Sequence, residues 1–104
     1  MRKFQMLQSR GRHGGCDSSA RSALYQAAFL RDAGRGIFLE AAIAKLQISE
    51  SWVRTAEDAL QIHGGYGYMR ESEIERELRD AIGSRLYSGT SEIQRTIIAS
   101  LLGL

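Results

Sequence analysis

From Ala20 onward the apolar positions Ala20, Ala23, Leu24, Ala27, Ala28 and Leu30 recur at helical spacing, with Ser18 or Ser19 placed to cap the start. The stretch stops at the Asp-Ala-Gly-Arg-Gly segment of residues 32–36. Beyond it Ile37, Ala41, Ala44, Ile48, Trp52, Ala56, Ala59 and His63 step by three or four, without proline or glycine, as far as Gly64-Gly65. That pattern predicts one long helix of about 26 residues, roughly 40 Å at 1.5 Å per residue, more than a chain of this size needs across its own diameter. Such a helix spans a bundle or an assembly.

After the glycine turn, Ser72 and Glu75 have the spacing of a capping box and open a shorter helix with Ile74, Leu78 and Ala81 on its apolar side, ended by Gly83. Ser91 and Gln94 repeat that spacing before Ile93, Ile97, Ile98, Leu101 and Leu102, which predicts a last helix. No segment alternates like a strand. The expected class is therefore all-α, an antiparallel helical bundle of three or four helices joined by short loops. Residues 1–17 lack a sustained period and contain Gly11, Gly14 and Gly15, so they are expected to form a flexible basic leader ahead of a helical domain over residues 18–104.

Composition narrows the possibilities further. At 104 residues the chain holds one small domain, too short for a large self-contained enzyme. The net charge is +2, and Arg2, Lys3, Arg10 and Arg12 precede the first acid, Asp17. A basic start without interleaved aromatics reads as solvated surface, so nucleic acid is not expected as a partner. Cys16 is the only cysteine, which excludes an intramolecular disulfide and fits a reducing compartment. The first residues are too polar for a signal peptide, and no apolar run is long enough to span a membrane. A cytoplasmic location is the expectation. His13 and Cys16 have ligand-like spacing but no second pair, so no metal is expected.

Two segments could carry chemistry. The first is Gln-Ile-His-Gly-Gly-Tyr-Gly-Tyr at residues 61–68, where three glycines allow a ligand close to the backbone or simply cap a helix and turn the chain. It is not a dinucleotide fingerprint, because no strand precedes it and Arg70 stands where the third glycine belongs. The second is Leu-Tyr-Ser-Gly-Thr-Ser-Glu-Ile-Gln at residues 86–94, a polar turn that feeds a helix N-terminus. Free N–H groups there suit an anion or the polar edge of a cofactor, and plain capping by Ser91 accounts for the same residues. Arg76, Arg79 and Asp80 read as an ion-pair set, Trp52 as packing, His63 as a satisfied histidine at a helix end, and Ser88 lacks an adjacent base.

Ala-Ala-Ile-Ala-Lys-Leu at 41–46, the 59–68 segment ending in Gly-Gly-Tyr-Gly-Tyr, Glu-Arg-Glu-Leu-Arg-Asp at 75–80 and Tyr-Ser-Gly-Thr-Ser-Glu-Ile-Gln-Arg at 87–95 occur in an order and spacing that resemble the C-terminal helical domain of flavin-dependent acyl-CoA dehydrogenases. The resemblance runs from about Ala20 to Leu104. It implies a four-helix bundle, here truncated, in an oligomer that holds FAD between subunits. Residue by residue, it implies that Gln61, Ile62, His63, Gly64 and Gly65 contact the adenosine diphosphate of a neighbouring subunit's FAD. Thr90, Ser91 and Glu92 correspond to a turn that also touches FAD, Tyr87 and Gly89 to positions lining the flavin and thioester site, and Arg79 and Asp80 to a structural pair.

The implied chemistry is α,β-dehydrogenation of an acyl thioester on CoA or a carrier protein, with electrons passing to an electron-transferring flavoprotein or to oxygen. Many members carry the catalytic glutamate just before the Gly-Thr-Ser turn. Here that position is Ser88, whose hydroxyl titrates too high to act as base, so no catalytic residue is expected in the chain. Other branches, including relatives acting on carrier-protein-bound aminoacyl groups, place the glutamate on an earlier helix. The family's N-terminal helical domain, its β-domain and the first helix of the bundle have no counterpart in these residues. The expectation is thus a C-terminal part, inactive alone, that contributes FAD contacts and subunit assembly by joining the remaining dehydrogenase domains or by forming a homo-oligomer. A non-catalytic helical interaction or oligomerisation module derived from the family is the alternative.

Overall fold

The computed structural model describes residues 2–104, with side chains from Asp17 onward. It contains α1 (Arg2–Asp32), α2 (Phe38–His63), α3 (Gly65–Tyr68), α4 (Glu73–Ser84) and α5 (Ser91–Leu101), and no strand among the described residues. The all-α class is as the sequence pattern predicts. The long second helix runs uninterrupted to its glycine stop, where Gly64 turns the chain at φ 62° and its N–H reaches back to the carbonyls of Leu60 and Gln61.

Three local expectations are corrected. The backbone of α1 is helical from Arg2, well before the serines at which the apolar period begins. A glycine inside a helix costs only about 1 kcal/mol, so the three early glycines weaken that helix without forbidding it. The glycine turn itself contains a single helical turn, α3, and Gly67 is buried where it packs against Leu60 and His63. Neither expected capping box forms. Ser72 stands at the N-cap of α4 without a side-chain cap bond, and α5 is capped by the Thr90 hydroxyl, which accepts from the Ile93 amide at 3.3 Å. Ser91 lies one residue too late to cap and uses its hydroxyl elsewhere. The expected leader falls, apart from Asp17, outside the residues whose side chains are described, as do His13 and Cys16.

Everything else packs on α2. Residues 17–24 share one groove with residues 48–55 and residues 24–31 share another with residues 37–48, so α1 runs antiparallel to α2. Ser84 of α4 lies beside Lys45, and α5 starts near Glu50 and ends near Phe38, so both run antiparallel to α2 as well. Among the described residues α1 touches no helix but α2. The result is open: the radius of gyration is 16.2 Å, against about 13 Å for a compact domain of this length. The tightest core is Val53, Ala56 and Ala81, with Leu78 against it, between α2 and α4. Small residues there let two helices approach closely, and that closeness brings the polar groups beside them into range.

Candidate functional site

The turn between α4 and α5 is fastened to α2 at two points. Lys45 donates from Nζ to the carbonyl oxygens of Ser84 at 2.8 Å and Gly89 at 2.9 Å. Five residues further along α2, Glu50 accepts from Arg85 at 2.6 Å and from the Ser91 hydroxyl at 2.8 Å, with Arg95 at 3.9 Å. The Glu50 side chain is only 20% exposed. Burial by itself raises its pKa, but the Ser91 hydrogen bond and the Arg85 and Arg95 charges outweigh it and hold the carboxyl below its ordinary value. The neighbouring Arg85 Nε is buried without a hydrogen-bond partner.

Between those anchors the backbone is unusual. Ser88 has φ 57° and Gly89 φ 89°, two consecutive residues in the left-handed region, where a residue with a Cβ is disfavoured. A Cβ on Gly89 would also stand 2.6 Å from Gln94 Nε2, the group that donates to the Ser88 carbonyl at 3.2 Å. The turn presents Tyr87 at 58% exposure and leaves Ser88 exposed. Thr90 and Ser91 are committed to capping and to Glu50, whereas Glu92 is exposed. Its own amide and the Thr90 hydroxyl keep the Glu92 carboxyl below its ordinary value.

The second segment lies at the far end of α2. Gln61, His63, Gly64 and Gly65 are exposed and Ile62 is half-buried. His63 Nδ1 is 2.8 Å from the Ala59 carbonyl, so it is satisfied by its own helix, although it is exposed. Nothing lies within 4 Å of where a Cβ on Gly65 would stand, whereas one on Gly67 would meet His63 Cβ at 2.8 Å. Gly65 thus offers bare backbone to an approaching group, and Gly67 is already filled by the protein.

Gln61 is about 16 Å farther along α2 than Glu50, at 1.5 Å per residue. One chain therefore keeps the two segments apart. One segment offers bare glycine backbone, and the other an exposed acid beside a helix N-terminus. Arg79 and Asp80, expected to pair, are both exposed and not joined by an ion pair, because successive residues on a helix point in different directions. Lys45, Glu50 and Arg85 were not singled out from the sequence. The sequence carries no signal that separates Lys45 and Glu50 from Glu40, Arg54, Glu57 and Asp58 on the same amphipathic helix. Among the described residues no group of three or more His, Cys, Asp or Glu could hold a metal, and no helix is long and apolar enough to cross a membrane.

Comparison with known proteins gives these features a family. The acyl-CoA dehydrogenase C-terminal domain matches residues 17–103. An acyl-CoA dehydrogenase of Bacillus subtilis (strain 168) is 48% identical over 84 residues, which cover 81% of this chain and 22% of that protein. The crystal structure of the prolyl acyl carrier protein oxidase AnaB superposes with a TM-score of 0.89 at 47% identity, over 98% of this chain and 27% of that one. A crystal structure of an FAD-dependent dehydrogenase gives 0.88 at 39% identity, over 98% and 28%. The chain spans about a fifth of the length of the curated relative, 22%. By its fold and by these matches, the chain belongs to the acyl-CoA dehydrogenase family, of which it carries C-terminal helical domain sequence.

Proposed function

We propose that these residues act as the C-terminal helical part of a flavin-dependent acyl-thioester dehydrogenase, supplying FAD contacts and subunit assembly. The observation that carries this reading is the bare backbone of Gly65 at one end of α2, combined with the clamped Tyr87 to Gly89 turn near its middle. Residues 61–65 would hold the adenosine diphosphate of FAD from a neighbouring subunit, and Thr90, Ser91 and Glu92 would line FAD from the other turn. When bound, FAD supplies the two-electron acceptor for α,β-desaturation of the thioester. Tyr87 and Gly89 border the thioester, and Gly89, held at a φ that excludes a side chain, keeps that border low.

Ser88 cannot remove the α-proton, since a serine hydroxyl is far too weak a base at neutral pH. The carboxylate that does so belongs to another part of the complete enzyme, and residues 1–104 alone do not turn over substrate. The open face of α1 and α2, where Leu24 is 50% and Trp52 39% exposed, accommodates the further helices or subunits that assembly requires. Electron transfer to an electron-transferring flavoprotein, and a cytoplasmic location, complete the reading.

The test is complementation. The chain is mixed with the N-terminal and central domains of a family member, and flavin retention and acyl-thioester oxidation are measured. Recovery of both supports the proposal, and Gly65→Val should then lower flavin retention with helix content unchanged. Association without flavin would instead favour a non-catalytic assembly module, a reading motivated by the serine at position 88 and the unfilled α1 to α2 groove.

A further inference from the structure

Two helix ends meet the same stretch of α2 with opposite polarity. Ser84 is the last residue of α4, so its carbonyl belongs to the partly negative end of that helix, and the Lys45 ammonium is 2.8 Å away. Ser91 is the first residue of α5, at a partly positive end, and the Glu50 carboxylate accepts its hydroxyl at 2.8 Å. Each charge matches the dipole it faces. The same ammonium also takes the Gly89 carbonyl at 2.9 Å, so one cation closes the loop from residue 84 to residue 89. Inside that loop sits Ser88, a residue with a Cβ held at φ 57°.

A left-handed non-glycine residue is strained and persists only where its surroundings over-determine it. Hydrogen bonds from a charged donor are stronger than neutral ones and can hold such a conformation. Gln94 adds a neutral bond to the Ser88 carbonyl at 3.2 Å, which cannot by itself fix the ends of the loop. The Ser91 amide donates to the Arg85 carbonyl at 3.2 Å and Glu50 joins Arg85 to Ser91, but among these groups only Lys45 bonds the Gly89 carbonyl, directly after Ser88.

We propose that Lys45 and Glu50 are positioning residues: Lys45 holds Ser88 in its left-handed conformation by bridging the Ser84 and Gly89 carbonyls, and Glu50 fixes the start of α5 behind it. This rests on the reading that the Tyr87 to Gly89 turn borders the thioester, since it sets where Tyr87 and the Ser88 hydroxyl stand. The conformational assignment is tested on the chain itself, so it can fail or succeed independently of that reading.

The experiment is solution NMR of the full chain and of Lys45→Met, Lys45→Arg and the double reversal Lys45→Glu with Glu50→Lys. The unsubstituted chain should show the positive-φ amide coupling at Ser88 and a slowly exchanging Lys45 ammonium, coupled through hydrogen bonds to the Ser84 and Gly89 carbonyl carbons. Lys45→Met should lose the Ser88 signature and speed amide exchange at Ser91 and Gln94 by at least about tenfold, with α1 and the first half of α2 unchanged. Lys45→Arg should restore the signature. The double reversal keeps net charge but opposes both dipoles, and should not restore it. A Ser88 that stays left-handed in Lys45→Met would overturn the proposal. If that variant fails to fold, a rapidly exchanging Lys45 ammonium without carbonyl coupling in the unsubstituted chain would overturn it equally.

Discussion

The two sides of α2 are built from different materials. Towards α4 and α5 it presents Val53 and Ala56, fully or nearly buried against Ala81, flanked by Lys45 and Glu50 bonded across to the turn. Towards α1 it presents buried Ala44 beside Ala27, but also Ile48 and Trp52, which border a groove of about 380 Å³ with Leu24 and Ala20 and remain partly exposed. Small apolar residues allow close approach, and close approach lets charged groups find partners. Large apolar residues on an unfilled face instead wait for another surface. The first side fixes a geometry within the chain, and the second is suited to joining the chain to something else.

Substitutions should separate the two sides, beginning with the closed one. Ala81→Leu forces a larger side chain against fully buried Val53 and should lower stability by about 1–3 kcal/mol or more, read as a shifted denaturant midpoint. Glu50→Ala leaves Ser91 and Arg85 without their acceptor and should cost about 2 kcal/mol. The same carboxyl predicts a pH dependence. Its folded pKa lies below its unfolded value, so its contribution is present above the unfolded value near 4.5 and is lost as pH falls through the folded one. Stability of the unsubstituted chain should therefore drop in that acid range more steeply than stability of Glu50→Gln. Equal slopes would remove Glu50 from this role.

The glycine turn and the open groove are separated in the same way. Gly67→Ala should destabilise by about 1–3 kcal/mol because its Cβ meets His63 and Leu60, whereas Gly65→Ala, with nothing within 4 Å, should leave thermal stability unchanged. Leu24→Gln and Trp52→Gln in the α1 to α2 groove should change monomer stability least and reduce self-association seen by sedimentation. A large loss of stability from either would mean that the groove is closed in solution.

The contrast also explains what was legible in the sequence. The helical period and the glycine stops place α2, α4 and α5, because both signals are local. The start of α1 was not legible, since glycines lower helix propensity without abolishing it and the apolar period there gives no support. The motifs at 61–65 and 87–92 could be found as strings, but their contacts could not. That Thr90 rather than Ser91 caps α5 depends on Glu50, 41 residues away in sequence, drawing the Ser91 hydroxyl to itself. Lys45 looked like an ordinary polar position on an amphipathic helix because its partners are two backbone carbonyls, which carry no residue-type signal.

The central claim, that residues 17–103 can serve as the flavin-contacting helical domain of a dehydrogenase, is tested most directly by exchange. These residues replace their counterpart in a family member that carries its catalytic glutamate at the Ser88 position, and the visible absorption of the purified chimera is recorded. The account predicts retained oxidised flavin, lost with Gly65→Val, and thioester-dependent bleaching only once Ser88→Glu is added. A folded chimera without flavin, or one whose flavin is indifferent to Gly65→Val, would contradict it.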